Sequence, residues 1–97
     1  MTTQKRTVIY VSDGTGITAE TLGHGLLSQF EGTEFRPLRF PFLDNEEKVR
    51  DCLARINELS RHEGTRPIVI MTQTNAEYSA ILHQADAYFI DLFDAFI

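Results

Sequence analysis

The sequence predicts an α/β fold of three layers, with βαβ crossovers around a mostly parallel sheet of three to four strands, flavodoxin-like or Rossmann-like. Strand-like and helix-like segments alternate along the whole chain. Residues 7–11 and 67–72 are almost continuously apolar and rich in β-branched side chains, which is typical of strands that helices cover on both faces. A polar, glycine-rich loop follows the first of these strands.

Length, composition and charge exclude several classes of protein. The 97 residues suffice for one small domain or for part of a larger one. A formal net charge of −5 argues against a nucleic-acid partner, because binding phosphate backbones requires a basic surface. No apolar stretch approaches the roughly 20 residues of a membrane helix, so we expect no membrane partner. The single cysteine, Cys52, cannot form an internal disulfide and fits the reducing cytoplasm.

The first helix is predicted over residues 17–30. Its buried stripe is predicted from helical spacing to comprise Ala19, Leu22, Leu26 and Phe30, with Leu27 beside them. Gly23 and Gly25 lie inside this helix, and each weakens it by about 1 kcal/mol relative to alanine. We expect close approach of the helix to the sheet to compensate for both glycines.

The second strand is predicted over residues 35–42. Pro37 and Pro41 cannot donate hydrogen bonds to a neighbouring strand, so this strand should be short or at an edge. Asp44 is the predicted N-cap of the second helix, with Glu47 three positions later.

The second helix should bury Val49, Leu53, Ile56 and Leu59. Glu46 with Arg50 and Asp51 with Arg55 are the expected ion pairs on its solvent face. Gly64 is the predicted C-terminal cap, and Cys52 should be a buried apolar side chain.

The last third of the sequence repeats the strand–helix alternation. Residues 67–72 form the predicted third strand, and Asn75 can cap a third helix that carries Tyr78, Ile81 and Leu82. A short fourth strand over residues 88–91 should be followed by the first turn of another helix. The sequence stops in an apolar run without a cap, which leads us to expect a truncated chain.

The best candidate ligand site is the loop after the first strand, which comprises Ser12, Asp13, Gly14, Thr15 and Gly16, with Thr18 one turn later. Ligands of parallel α/β sheets bind at the carboxyl ends of strands. Glycines with positive φ, the helix N-terminus and the hydroxyls can together hold a phosphate or carboxylate. Asp13 would repel a bare anion, and could instead bind a metal, accept a proton or cap the helix. A tight turn without a ligand fits the same residues equally well.

Three further residues are secondary candidates for this cleft. Thr72 and Thr74 follow the third strand and should lie on the same edge of the sheet, and His24 lies in the first helix. The loop matches neither a Walker A motif nor GxGxxG. Histidines, cysteine and acids show no metal-ligand spacing, so we assign neither a metal site nor a catalytic residue.

The segment VSDGTGITAETLGHGLLSQF closely resembles the start of the family of phosphoenolpyruvate synthase and pyruvate, phosphate dikinase regulatory proteins. The segments PFLDNEEKVR, RPIVIMT and YFIDLF are also similar to this family. The resemblance implies a bifunctional serine/threonine kinase and pyrophosphorylase. Such enzymes use ADP to phosphorylate a threonine of the synthase or dikinase, and inorganic phosphate to remove that group as pyrophosphate.

The resemblance also implies the domain organisation. Residues 1–97 correspond to an N-terminal α/β domain, whereas the nucleotide-binding P-loop of the GxSRxxKT kind lies in a later domain that this sequence does not contain. We therefore expect the chain to need no cofactor and to be inactive alone. Apolar surface left by truncation should favour a homo-oligomer.

Two other interpretations stay open. The chain can be a stand-alone flavodoxin-like module that binds a phosphate-bearing ligand or a partner protein. An acyl-transfer hydrolase that uses Ser12, His24 and an acid is the weaker alternative, because the nucleophile motif GxSxG is not matched.

Overall fold

The computed structural model describes residues 4–92. Its elements in chain order are β1 (Gln4–Ser12), α1 (Ile17–Leu27), β2 (Thr33–Phe40), α2 (Glu46–Glu63), β3 (Ile68–Thr72), α3 (Ala76–Leu82) and β4 (Tyr88–Asp91). All four predicted strands and all three predicted helices are present. The helical turn predicted after the fourth strand lies outside the described residues.

The four strands form one parallel sheet in the order β2-β1-β3-β4. This confirms the α/β class, and the strand order is that of flavodoxin-like folds. β2 lies at an edge, as predicted, but it spans residues 33–40 rather than 35–42 and contains only Pro37 of the two prolines. Pro37 is in register with Val8 of β1. β2 lies on one side of β1, and β3 lies on the other, so the order in which strands are added reverses beside β1. The carboxyl ends of β1 and β3 therefore form the topological switch point.

The sheet is covered on both faces, which completes the three predicted layers. Alternate residues of β1 belong to different cores: Ile9 and Val11 contribute to one, Val8 and Tyr10 to the other. The first core also contains buried residues of α2 and α3, whereas the second contains Ala19 and Leu27 of α1.

The predicted buried stripe of α1 is wrong in most positions. The helix buries Ala19, Gly23 and Leu27, while Leu22, Leu26 and Phe30 are 46%, 43% and 58% exposed. The helix also ends at Leu27 rather than at Phe30.

Gly23 explains the orientation of α1. A Cβ atom at this position would lie 2.6 Å from both Ile70 Cδ1 and Tyr10 Cε1, so only glycine permits this approach of the helix to the sheet. The close approach predicted for Gly23 is confirmed. The same prediction is wrong for Gly25, because a Cβ atom at that position would contact nothing within 4 Å.

The N-cap of α2 is Asn45 and not Asp44. Asn45 has an extended backbone, and its side chain accepts a hydrogen bond of 2.9 Å from the Lys48 N–H. Asp44 lies one residue too early and instead pairs with Lys48 Nζ at 3.1 Å. The cap at Gly64 is confirmed, with φ of 70°.

The buried face of α2 comprises Val49, Cys52, Ile56 and Ser60, with Leu53 and Leu59 half-buried at its sides. The prediction of a buried Cys52 is thus confirmed, as is the Glu46–Arg50 pair at 3.3 Å. Arg55 was predicted to pair with Asp51, but its ion pair is with Glu58 at 3.9 Å.

The cap of α3 is the predicted one, since Asn75 Oδ1 accepts hydrogen bonds from the N–H groups of Glu77 and Tyr78. Within residues 4–92, the helices are too short or too polar to cross a membrane.

Candidate functional site

The loops after β1 and β3 meet at the switch point of the sheet. Ser12 and Thr72 are the last residues of their strands and are paired in register. Both are 4% exposed. Because parallel strands end on the same edge, the loop of residues 12–16 lies beside Thr74. The juxtaposition predicted from the sequence is therefore present.

The β1–α1 loop is a tight turn with an internal hydrogen bond. The Ser12 hydroxyl accepts a hydrogen bond of 3.0 Å from the Gly14 N–H. Gly16 caps α1 in the left-handed conformation, with φ of 83°, and no side chain caps the helix. Gly14 does not have positive φ, so the conformational need for glycine applies to Gly16 alone.

Asp13 and Thr74 connect the two loops. One carboxylate oxygen, Asp13 Oδ2, accepts a hydrogen bond of 3.1 Å from the Thr74 N–H. The Thr74 hydroxyl also donates to the same oxygen. These two hydrogen bonds partly offset the negative charge of the Asp13 carboxylate, which would otherwise repel an anion. The Asp13 carboxylate thus binds the loop after β3, a contact that was not among the uses predicted for it.

Thr15 and Thr18 are exposed at the start of α1. The Thr15 hydroxyl accepts a long hydrogen bond of 3.4 Å from the Ile17 N–H. The first N–H groups of a helix have no acceptor within the helix, and they carry a partial positive charge. The edge therefore presents hydroxyls and backbone donors on the solvent side of the Asp13–Thr74 contact.

Arg39 adds a positive charge that the sequence analysis missed. Its Nη2 donates to the Thr15 carbonyl at 2.9 Å, and its Nε lies 3.0 Å from Glu20 Oε2. The position of Arg39 near the carboxyl end of β2, on the same edge of the sheet as the loop, could have identified it from the sequence.

The segment between β2 and α2 also lies against the loop. The N–H groups of Phe42 and Leu43 donate to the carbonyls of Gly14 and Ser12 at 2.8 and 3.0 Å. Buried Gln73 donates to the Leu43 carbonyl at 3.1 Å. These contacts fix the loop from its β2 side.

Phe42 has an unusual backbone conformation. It has a φ of 60° although it is not glycine, which costs on the order of 1–3 kcal/mol for a bulky residue. The residue follows β2 directly in the segment that holds the loop. No sequence pattern around Phe42 predicted this conformation.

His24 lies apart from the switch-point loops. It is exposed on α1 and lines a groove of about 860 Å³ between α1 and β2. Ser12 is not among the residues that line this groove, and its hydroxyl is engaged with Gly14. The arrangement gives no support to a nucleophile–base pair formed by Ser12 and His24.

Burial shifts the pKa of two titratable side chains among the described residues, Tyr10 and Cys52. Burial, and then the nearby charge of Glu20, raise the pKa of Tyr10. Burial raises the pKa of the Cys52 thiol to about 12. Between residues 4 and 92, no group of three or more His, Cys, Asp or Glu side chains is placed to hold a metal ion.

Comparison with known proteins gives a family match and similar individual proteins. Residues 8–97 match the kinase/pyrophosphorylase family. The chain is 54% identical over 92 residues to a protein of Azoarcus sp. and 50% identical over 93 residues to one of Alcanivorax borkumensis. Both are named as proposed phosphoenolpyruvate synthase regulatory proteins. These matches cover 95% and 96% of the chain but only 33% and 34% of the two relatives, so the chain spans about a third of their length.

Proposed function

Since the chain belongs to the kinase/pyrophosphorylase family, we propose that it forms the N-terminal α/β part of a bifunctional regulator of phosphoenolpyruvate synthase. The whole protein transfers a phosphoryl group from ADP to a threonine of the synthase, which inactivates it and leaves AMP. It restores the synthase by transferring that group to inorganic phosphate, which releases pyrophosphate. The names of the relatives support the regulatory role and the target. Pyruvate, phosphate dikinase is the alternative target.

The switch-point loops hold a phosphate-bearing group in this proposal. The contact of Asp13 with Thr74 is the observation that carries it, because it joins two loops into one polar edge. Phosphoryl transfer depends mainly on positioning and on neutralising phosphate charge. Thr15, Thr18 and the start of α1 would supply hydrogen-bond donors, and Arg39 would supply positive charge by exchanging its ion pair with Glu20 for the phosphate. These are binding roles, and the P-loop in the remainder of the family's chain would supply the site for ADP.

The experiment uses a chimera in which this sequence replaces the matched third of the Alcanivorax borkumensis protein. Asp13→Ala and Thr15→Val are introduced separately, and ADP-dependent phosphorylation and phosphate-dependent dephosphorylation of purified synthase are measured. We expect each variant to lower both rates at least about tenfold, or about 1.4 kcal/mol.

Glu58→Ala is the matched control, because Glu58 is an exposed carboxylate paired with Arg55 on α2, away from the loop. It should leave both rates unchanged. Wild-type rates in both site variants would contradict the proposed role of the loop.

The 97-residue chain alone provides the second test. It should transfer no phosphoryl group from ADP to the synthase, because it holds no P-loop sequence. Phosphorylation of the synthase by the 97-residue chain alone would contradict the proposal that ADP binds in the remainder of the family's chain. Saturable binding of inorganic phosphate without any transfer in the chimera would favour the stand-alone binding module.

A further inference from the structure

We propose that the groove between α1 and β2 receives an amphipathic helix from the part of the family's chain that lies outside the matched third. The proposal rests on family membership and on the packing of this chain, and it does not depend on the phosphoryl-transfer activity.

The two faces of the sheet are covered unequally. Four strands at a spacing of about 4.8 Å place the outer strands about 14 Å apart, whereas one helix with its side chains is about 10–12 Å wide. One face is covered by α2 and α3, but in residues 4–92 only α1 lies on the other. α1 packs on β1 and β3, which leaves this side of β2 without a helix.

The uncovered area is a groove with mainly apolar walls. Its volume is about 860 Å³, within the range of about 300–1,000 Å³ that binding clefts have. Ile17 of α1 and Phe30, which follows that helix, are 62% and 58% exposed on one wall, and Phe35 and Pro37 of β2 form the other wall.

The charges around the groove favour an apolar occupant. Glu20 and Arg39 both line it, and they neutralise each other in an ion pair of 3.0 Å. Beyond Glu20, α1 carries no acidic, lysine or arginine side chain. Its exposed side chains include Thr18, Thr21, Leu22 and Leu26, so the solvent side of α1 is weakly charged and partly apolar.

In a second copy of the chain, only the exposed apolar residues of its own α1, such as Leu22 and Leu26, could enter the groove. The apolar residues of α2 and α3, such as Val49, Ile56 and Leu82, are already buried against the sheet. The matched relatives, in contrast, have about two thirds of their length outside the region of similarity. That length is sufficient to supply an additional helix that packs beside α1.

Hydroxyl-radical footprinting of the separate chain and of the chimera tests the proposal by measuring side-chain accessibility. Phe30 and Phe35 should be oxidised several-fold more slowly in the chimera, while exposed Tyr88 at the far edge of the sheet should react equally in both. Equal oxidation of the groove residues in both chains would overturn the proposal. So would protection in the chimera that increases with its concentration, because that result assigns the groove to a second copy.

A binding experiment with the chain as it exists gives an independent answer. Synthetic peptides covering the amphipathic helical segments of the remaining two thirds of the Alcanivorax borkumensis protein are titrated against the 97-residue chain. We expect one of them to bind, and Ile17→Glu to weaken it about tenfold or more, because a charge would be buried in an apolar groove. Thr65→Glu, which adds the same charge at an exposed turn outside the groove, should not affect binding. The proposal would be contradicted if no peptide bound, or if Ile17→Glu and Thr65→Glu bound the peptide equally well.

Discussion

Single residues decide how the first helix lies on the sheet. Spacing alone favoured Leu22 and Leu26 as buried residues, because they are apolar side chains at helical intervals. The structure instead turns Gly23 toward Tyr10 and Ile70, since the missing side chain lets the helix approach closely. Close approach to the sheet therefore outweighs burial of two leucines on this helix.

The two helical glycines should respond oppositely to alanine. Gly23→Ala should lower the free energy of unfolding by about 1–3 kcal/mol, because the added methyl group overlaps Tyr10 and Ile70. Gly25→Ala meets open space and should raise it by about 0.5–1 kcal/mol. Urea denaturation of both variants measures the difference, and equal stabilities would show that α1 does not pack through Gly23.

Cys52 should be inert and should make the protein sensitive to alkali. Burial raises the pKa of its thiol from the ordinary 9.0 to about 12, so the thiol stays neutral in the folded state. Above about pH 9 the unfolded chain gains the thiolate form, and the free energy of unfolding must fall as the pH rises. The Cys52 contribution is on the order of 4 kcal/mol between pH 9 and 12.

The measurement compares urea denaturation of the wild type and Cys52→Ala between pH 8 and 10.5. The variant should lose less stability as the pH rises, whatever its stability at pH 8. A disulfide reagent should modify the native thiol only as fast as the protein opens. Rapid modification, or parallel pH profiles, would be inconsistent with a buried thiol.

At the scale of secondary-structure elements, neighbouring residues largely determine where helices are capped and which strand lies at an edge. Gly64 and Asn75 cap their helices as predicted, and the prolines place β2 at an edge. Asp44 and Asn45 are both good N-cap residues, so local sequence cannot separate them. The path of the chain from β2 decides between them, because it gives Asn45 the extended backbone of an N-cap.

Alanine substitutions at these two positions test which residue caps α2. Asn45→Ala should lower the free energy of unfolding by about 1 kcal/mol, because the Lys48 N–H loses its acceptor. Asp44→Ala removes only an exposed ion pair and should cost about 0.5 kcal/mol or less. Thermal unfolding followed by circular dichroism measures both, and a larger loss for Asp44→Ala would show that the cap is assigned wrongly.

At the scale of the whole molecule, the main feature is that helices cover the two faces of the sheet unequally. One face has two helices, while the other has α1 and a groove lined by apolar side chains. The order β2-β1-β3-β4 places the candidate site at the carboxyl edge, whereas the groove runs along a face of the sheet. The two surfaces meet at Arg39, which lines the groove and also donates to the Thr15 carbonyl of the loop.

The exposed groove should make the separate 97-residue chain self-associate. Sedimentation velocity at increasing concentration should show a growing fraction of dimer or larger species, because apolar surface is removed from water on association. The same experiment with the chimera should show less concentration dependence of this kind. A sharply monomeric separate chain at high concentration would contradict this expectation.

The sequence by itself determined the order and type of the elements, the α/β class, the edge position of β2 and the resemblance to a family of regulators. These properties depend on periodicity, prolines, glycines and caps, whose effects act within a few neighbouring residues. Only the tertiary structure decided the buried face of α1, the N-cap of α2, the place of Arg39 and the groove beside β2. The Asp13–Thr74 contact joins residues 61 positions apart, and its existence depends on how β1 and β3 pair and where they end. Such contacts are decided when the sheet assembles, since no local pattern contains both partners.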